Sequence, residues 1–241
     1  MDLGIEGRVA LVVAGSRGLG RATAEALAAE GARVMVSSRD AAVLDEVGST
    51  MRATGADVAT EAADITEPDV PARLVRATVE RFGGVDIVVA NAGGPPPGRA
   101  LDVDDDLLIA AVNANLLSAV RLTRAAVPLM REGGWGRICC ITSYSVVQPI
   151  PTLALSNTAR VGLWGWAKTA AQDLAVEGSG ITLNLLCPGP HATDRMRELG
   201  GSGPMGDPSD FGKVVAFLCS EQAGFVNGAA IVVDGGATLA L

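Results

Sequence analysis

The chain has 241 residues, 49% of them hydrophobic, enough for one well-cored domain and too few for two comfortable ones. Thirty glycines against 3% aromatic residues predict packing by Ala, Val, Leu and Gly, with backbones in close approach. A formal charge of -8 excludes the clustered basic surface that nucleic acid requires, and we read it as solubility.

Residues Met1 to Glu6 have neither the basic start nor the apolar stretch of a signal peptide. No apolar run reaches the eighteen or so residues of a membrane span. Cys139, Cys140, Cys187 and Cys219 have no metal-ligand spacing. Adjacent Cys139 and Cys140 fall in an apolar run and are expected on opposite faces of a strand. All four are expected to be reduced core residues of a cytoplasmic protein without a metal site or a membrane anchor.

Short β-branched runs alternate with longer amphipathic ones. Residues 8–14 read as a strand ending in glycines, 18–30 as a helix, 33–37 as a strand, 41–54 as a helix, 57–62 as a strand and 67–82 as a helix. The run 85–90, apolar except at Asp86, is expected of a central strand buried on both faces. Residues 104–131 read as one long helix or two abutting ones, followed by a strand at 136–142 and a long helix at 152–177. Strand 181–186, helix 209–220 and strand 229–233 complete the chain. Strict alternation implies an α/β fold, a doubly wound parallel sheet with helices on both faces. Pro95-Pro96-Pro97 reads as a rigid surface loop, and no internal repeat or linker is evident.

Gly15, Ser16, Arg17, Gly18, Leu19 and Gly20 close the first strand and open the first helix. Glycines there permit a tight turn and let backbone N–H groups and the helix dipole reach a pyrophosphate. A glycine triplet alone is a weak signal; its place in the first strand-to-helix turn strengthens it. The spacing Gly-x-x-Gly-x-Gly resembles the short-chain dehydrogenase/reductase family, and the resemblance spans nearly the whole chain. It implies a single Rossmann-type domain over residues 1–241. Asp64 and Ile65 resemble the family's adenine contact, and Asn91-Ala92-Gly93 its structural turn. Asn115, ahead of Arg121-Leu122-Thr123-Arg124, resembles the mid-helix asparagine. Ser143 follows Gly136-Arg137-Ile138 at the family's serine position. Pro188 and Gly189, with Thr193, match the loop that embraces the nicotinamide carboxamide, and Val233-Asp234-Gly235-Gly236 is the usual ending.

Charge at the second strand end discriminates the cofactors, since an acid there accepts from both ribose hydroxyls and a base pairs with a 2′-phosphate. Here the strand ends Ser37-Ser38-Arg39, with no acid until Asp40, and Arg17 adds a second guanidinium. The pair favours NADP(H) over NAD(H); the plain alternative is two solvated surface arginines.

The resemblance implies a tyrosine that gives a proton to the carbonyl oxygen and a lysine one helical turn on. Thirteen residues beyond Ser143 stands Ser156, and four later Arg160, in place of both. Their spacing still puts them on one helix face. A serine hydroxyl is a far weaker acid than a phenol and falls short of its position, and guanidinium does not shuttle protons. Arg160 is expected to hold the nicotinamide ribose.

Three groups could supply the proton. Tyr144, the only tyrosine, is turned away by strand alternation unless the strand has already ended. His191, the only histidine, lies in the nicotinamide loop with a suitable ordinary pKa and ranks first. The third is a water held by Ser156, Ser143 and Asn115. Residues 194–208, rich in Gly and Pro, read as a short lid over an open or poorly ordered pocket, suited to a large or carrier-bound carbonyl substrate. Trp164 and Trp166 lie on the Ser156 helix, which in this family pairs with a second subunit, implying a homodimer or homotetramer. The leading expectation is an NADP(H)-dependent oxidoreductase. The alternatives are a cofactor-binding sensor or partner without turnover, and a lyase, isomerase or cyclase on the same fold.

Overall fold

The apolar runs become the strands of one parallel sheet in a computed structural model that describes residues 1–240. The strands are Val9–Val13 (β1), Arg33–Ser38 (β2), Val58–Ala62 (β3), Ile87–Ala90 (β4), Gly136–Ile141 (β5), Ile181–Pro188 (β6) and Ala230–Val233 (β7). Between them run the helices Gly18–Ala29 (α1), Ala41–Ala53 (α2), Val70–Phe82 (α3), Asp105–Val112 (α4), Ser118–Gly133 (α5), Ala154–Val176 (α6), Asp194–Glu198 (α7) and Pro208–Leu218 (α8). The strand order is β3-β2-β1-β4-β5-β6-β7. Because β1 pairs with both β2 and β4, the chain leaves it in opposite directions and opens a crevice at the strand ends.

β1 shows why the central strands are apolar throughout. Val9, Leu11 and Val13 face the layer of α3, α5 and α6, while Ala10 and Val12 face that of α1, α2 and α8. Adjacent Cys140 and Cys139 divide between the same two layers, as their alternation requires. All four cysteines are free and buried, with Cys139 Sγ 3.6 Å from Cys219 Sγ.

Two boundaries move for local reasons. α3 starts at Val70 rather than residue 67, because Pro71 supplies the fixed φ and missing N–H suited to a first turn. It stops at Gly83, whose φ of 86° is the left-handed cap that glycine adopts freely. The expected helix over 104–131 is continuous across α4 and α5, but Asn113–Leu117 between them is a π turn. Taken together, Asp105–Gly133 is long and apolar enough to cross a membrane by length and composition, contrary to the sequence expectation. Its apolar face packs on the sheet through Leu122, Ala126, Val127 and Met130.

One loop keeps to expectation and another departs from it. Pro96 and Pro97 are exposed while Pro95 is buried, and Gly98 pairs with Leu153, so the proline loop is tied to the start of α6. The segment 194–208 is not a loose lid. It holds α7, and Gly206 N donates to Pro190 O at 2.9 Å while Ala192 N donates to Gly206 O at 3.0 Å. Backbone pairing orders a stretch whose composition suggested none.

Candidate active site

The turn after β1 leaves no room for a side chain at Gly15 or Gly20. A Cβ on Gly20 would lie 2.3 Å from Ala14 O and 2.7 Å from Asn91 Nδ2, and one on Gly15 would lie 2.6 Å from Val36. Ala14 itself sits at φ 50°, a strained conformation for a residue with a side chain. Asn91 Nδ2 donates to Ala14 O at 3.3 Å and so fastens the end of β4 to this turn. Arg17 stands at the N-cap of α1 in extended conformation and makes no side-chain cap. The first N–H groups of α1 are left for a ligand, and such a helix end suits a phosphate. Thr193, the N-cap of α7, faces Gly18 from across the crevice. Behind them a cavity of about 290 Å³ is lined by Gly18, Arg21, Thr193, Arg197 and Asp207.

Beyond this turn, Ser16 and Ser38 are buried, whereas Arg17 and Arg39 are exposed at the crevice edge. Arg17 pairs with Asp40 at 3.2 Å, and Arg39 approaches Asp64 at 3.9 Å. Burial raises the Asp64 carboxyl, but the Thr66 N–H and hydroxyl, with Arg39, bring it below its ordinary pKa. Ile65 beside it is buried. Asn113 Nδ2 donates to Thr66 O at 2.8 Å and binds this loop to the π turn. At the far side, Gly189 N donates to Val233 O at 3.0 Å. A Cβ on Gly189 would lie 2.4 Å from Asp234 Cβ, which explains the glycine after Pro188.

The catalytic candidates fall into two groups. Asn115, Ser156 and Arg160 are buried near the ends of β4 and β5. On α6, Leu155, Ala159, Leu163, Ala167 and Ala171 form the i, i+4 stripe that faces the sheet, and Ser156 and Arg160 lie one position round from it. That register turns Arg160 inward. Its Nε donates to Ser156 Oγ at 3.2 Å and its Nη1 to Ile141 O at 3.1 Å. Burial lowers its pKa from the ordinary value to about 10, so it remains a cation at neutral pH. The π turn presents Asn115, whose Nδ2 donates to Ala111 O at 3.3 Å while its buried Oδ1 has no partner among the described residues. Asn91, Ala92, Asn115 and Arg160 line a cavity of about 10 Å³, room for one water. Neither Ser143 nor Ser156 lines it, correcting the expected water site: the guanidinium occupies the space beside Ser156.

Ser143 begins a 3-10 turn over Tyr144–Val146, and its Oγ accepts from Ser145 N at 3.1 Å. Since β5 ends at Ile141, strand alternation no longer turns Tyr144 away. Tyr144 is half-buried, and its hydroxyl bonds to no group among the described residues.

His191 belongs elsewhere. Its ring is buried edge-on against Phe211 of α8, at 5.3 Å between centroids, and Nδ1 lies 3.0 Å from Gly189 O. Gly206 lies against the other edge, where an added Cβ would be 3.0 Å from Nε2. The ring therefore fastens the loop to the α8 layer, a correction of the expected proton donor. Conversely, the sequence did not single out Arg195, which reaches from α7 across the crevice to donate to Pro95 O at 2.7 Å. Its place two residues past Thr193 was the available signal.

A family model described as Enoyl-(Acyl carrier protein) reductase matches residues 13–238. Dehydrogenase/reductase SDR family member 4 of Sus scrofa is 33% identical over 246 residues, spanning 96% of this chain and 88% of that protein. The Homo sapiens protein of that name is 32% identical over 243 residues, 95% and 87% of the two chains. L-sorbose reductase of Gluconobacter frateurii, solved with NADPH and L-sorbose, superposes with a TM-score of 0.93 at 30% identity over 100% of both chains. A 7 alpha-hydroxysteroid dehydrogenase, solved with NADH and 7-oxo glycochenodeoxycholic acid, gives 0.91 at 26% identity over 98% and 96%. With a matching model over nearly its whole length, and relatives above 30% identity, the chain belongs to the short-chain dehydrogenase/reductase family.

Proposed function

We propose that this protein is an NADP(H)-dependent oxidoreductase acting on a carbonyl/alcohol pair, with Arg160 at the centre of a site that lacks the usual tyrosine and lysine. The observation that carries it is a glycine turn with no room for a Cβ at Gly15 or Gly20, opening onto an uncapped helix end. The L-sorbose reductase structure, with NADPH bound and the same fold over its full length, supports the cofactor.

Gly15, Gly18, Leu19 and Gly20 would hold the pyrophosphate through backbone N–H groups, and Asp64 and Ile65 the adenine. Arg17 and Arg39 are free to leave their exposed acid partners, each pair being of little energetic weight, for a 2′-phosphate. Pro188, Gly189 and Thr193 would border the nicotinamide, beside Asn91, Ala92 and Gly93. Bound there, the reduced cofactor supplies a hydride to the carbonyl carbon.

Arg160 then offers a fixed positive charge to the oxygen, acting by electrostatic stabilisation rather than proton transfer. Ser143 accepts from Ser145 N, leaving its own proton for that same oxygen. The proton itself comes from Tyr144 or from a water held by Asn115 and Arg160. Replacing Arg160 with Gln should reduce kcat by about 100-fold or more while NADPH affinity changes less. Equal losses in both would assign Arg160 to the cofactor alone.

A cofactor-binding role without turnover is favoured by one observation, that Ser156 and Ile141 O already hold Arg160 beside a cavity of only about 10 Å³. NADPH binding without consumption over a carbonyl panel would select it. The exposed Leu107, Ile109 and Val161, on α4 and α6, support self-association through that face.

A further inference from the structure

Arg160 is a buried cation without a counter-ion. It is 7% exposed, and both of its hydrogen bonds go to neutral oxygens. The ionisable groups that act on it are Cys187 and a second arginine, Arg195, with no Asp or Glu among the described residues. A guanidinium has five N–H donors, so capacity remains toward the cavity it shares with Asn91 and Asn115. Asn115 Oδ1 is unpaired in the same place.

Arg195 approaches from the opposite bank. It hangs from the first turn of α7, donates to Pro95 O and lies beside Gly94, where an added Cβ would be 3.3 Å from Nε. Gly94 is three residues past Asn91, so one short loop runs from the Arg160 cavity to Arg195. Its carboxylate contact is Glu198 at 3.5 Å, a surface pair on the same helix that is readily exchanged. An acidic chain thus keeps two arginines at one cleft, and of the two only Arg195 has a carboxylate partner among the described residues. Such an arrangement is costly in isolation and is relieved by a bound anion.

Resting on the oxidoreductase reading above, we infer that the substrate is a carboxylate-bearing carbonyl compound, an oxo acid whose carboxylate Arg195 binds from α7 while Arg160 faces the reacting oxygen. In the reduction, hydride adds to the carbonyl carbon and the C=O electron pair moves to oxygen. That oxygen takes a proton from Tyr144 or water, and the products are a hydroxy acid and oxidised cofactor. The carboxylate is unchanged and serves for position. Planar, bidentate guanidinium suits it better than an ammonium group would.

The test uses the NADPH-loaded protein with 2-oxobutanoate, acetoacetate and levulinate, each beside its methyl ester. Affinity is read by quenching of protein fluorescence, and turnover separately by NADPH consumption. At least one acid should bind about tenfold or more tighter than its ester, a preference weakened by salt. Arg195→Gln, on a half-exposed side chain, should collapse that ratio toward one and leave NADPH affinity unchanged. Equal binding of acids and esters, no binding by either, or a ratio that survives the substitution would overturn the inference. So would a variant that loses NADPH affinity alone, which would assign Arg195 to the cofactor's pyrophosphate. Acid-selective binding without turnover would leave this inference standing while removing the oxidoreductase reading. Turnover of esters as fast as acids would do the reverse.

Discussion

At the scale of single residues, one hydrogen bond governs the behaviour of the site. Ser156 Oγ accepts from the buried Arg160 Nε, so Ser156→Ala leaves a charged donor unpaired. The expected cost is about 1–3 kcal/mol, read from urea unfolding midpoints at unchanged m. Arg160 also sets a pH signature. Burial lowers its pKa to about 10, so the folded protein sheds this proton before the unfolded chain does. Its charge is therefore constant from neutrality to about pH 9, and the fold gains rather than loses stability as pH rises through 10. The expected profile of kcat/KM has no limb from this group below about pH 9. Arg160→Lys places a more easily neutralised cation in the same burial and should bring in a basic limb at lower pH. If Tyr144 is the donor, Tyr144→Phe lowers turnover without changing NADPH affinity; unchanged turnover assigns the proton to water.

At the scale of elements, strands and helices were legible because each buries a face with its own period. Residues 8–14 read as a strand and 85–90 as one buried on both faces; the strands run Val9–Val13 and Ile87–Ala90, buried throughout. What stayed hidden depends on contacts between distant segments. The π turn at Asn113–Leu117 aims Asn115, and no local spacing marks it. The order of 194–208 comes from Gly206 pairing back to Pro190 and Ala192. His191 shows its place in the loop in the sequence, but not its partner Phe211, twenty residues on. Arg160 was legible as a cation on the right helix face, but not its inward turn to Ile141 O. The glycine turn offers a sharp test. Gly20→Ala sets a methyl 2.3 Å from the Ala14 carbonyl, which is backbone and cannot step aside cheaply. NADPH affinity should fall at least about tenfold, while Gly84→Ala, with open space around it and no left-handed backbone, should leave that affinity unchanged. Equal affinities in both variants would sink the assignment of this turn.

For the whole molecule, two layers on one parallel sheet bring the ends of β1, β4, β5 and β6 to a single crevice. The four cysteines lie within those layers, and burial pushes Cys140 up to about 12. Thiol titration should find none reactive in the native protein and four after denaturation; a fast-reacting native thiol would contradict this packing. The proposed function depends above all on an intact cofactor site. Its most direct test is a fluorescence titration with NADPH and with NADH, followed in the same cuvette by a carbonyl panel. Tight binding with preference for NADPH, then NADPH consumption on at least one carbonyl, is the predicted result. Failure to bind either nucleotide would contradict the cofactor assignment, and binding without consumption would contradict the oxidoreductase.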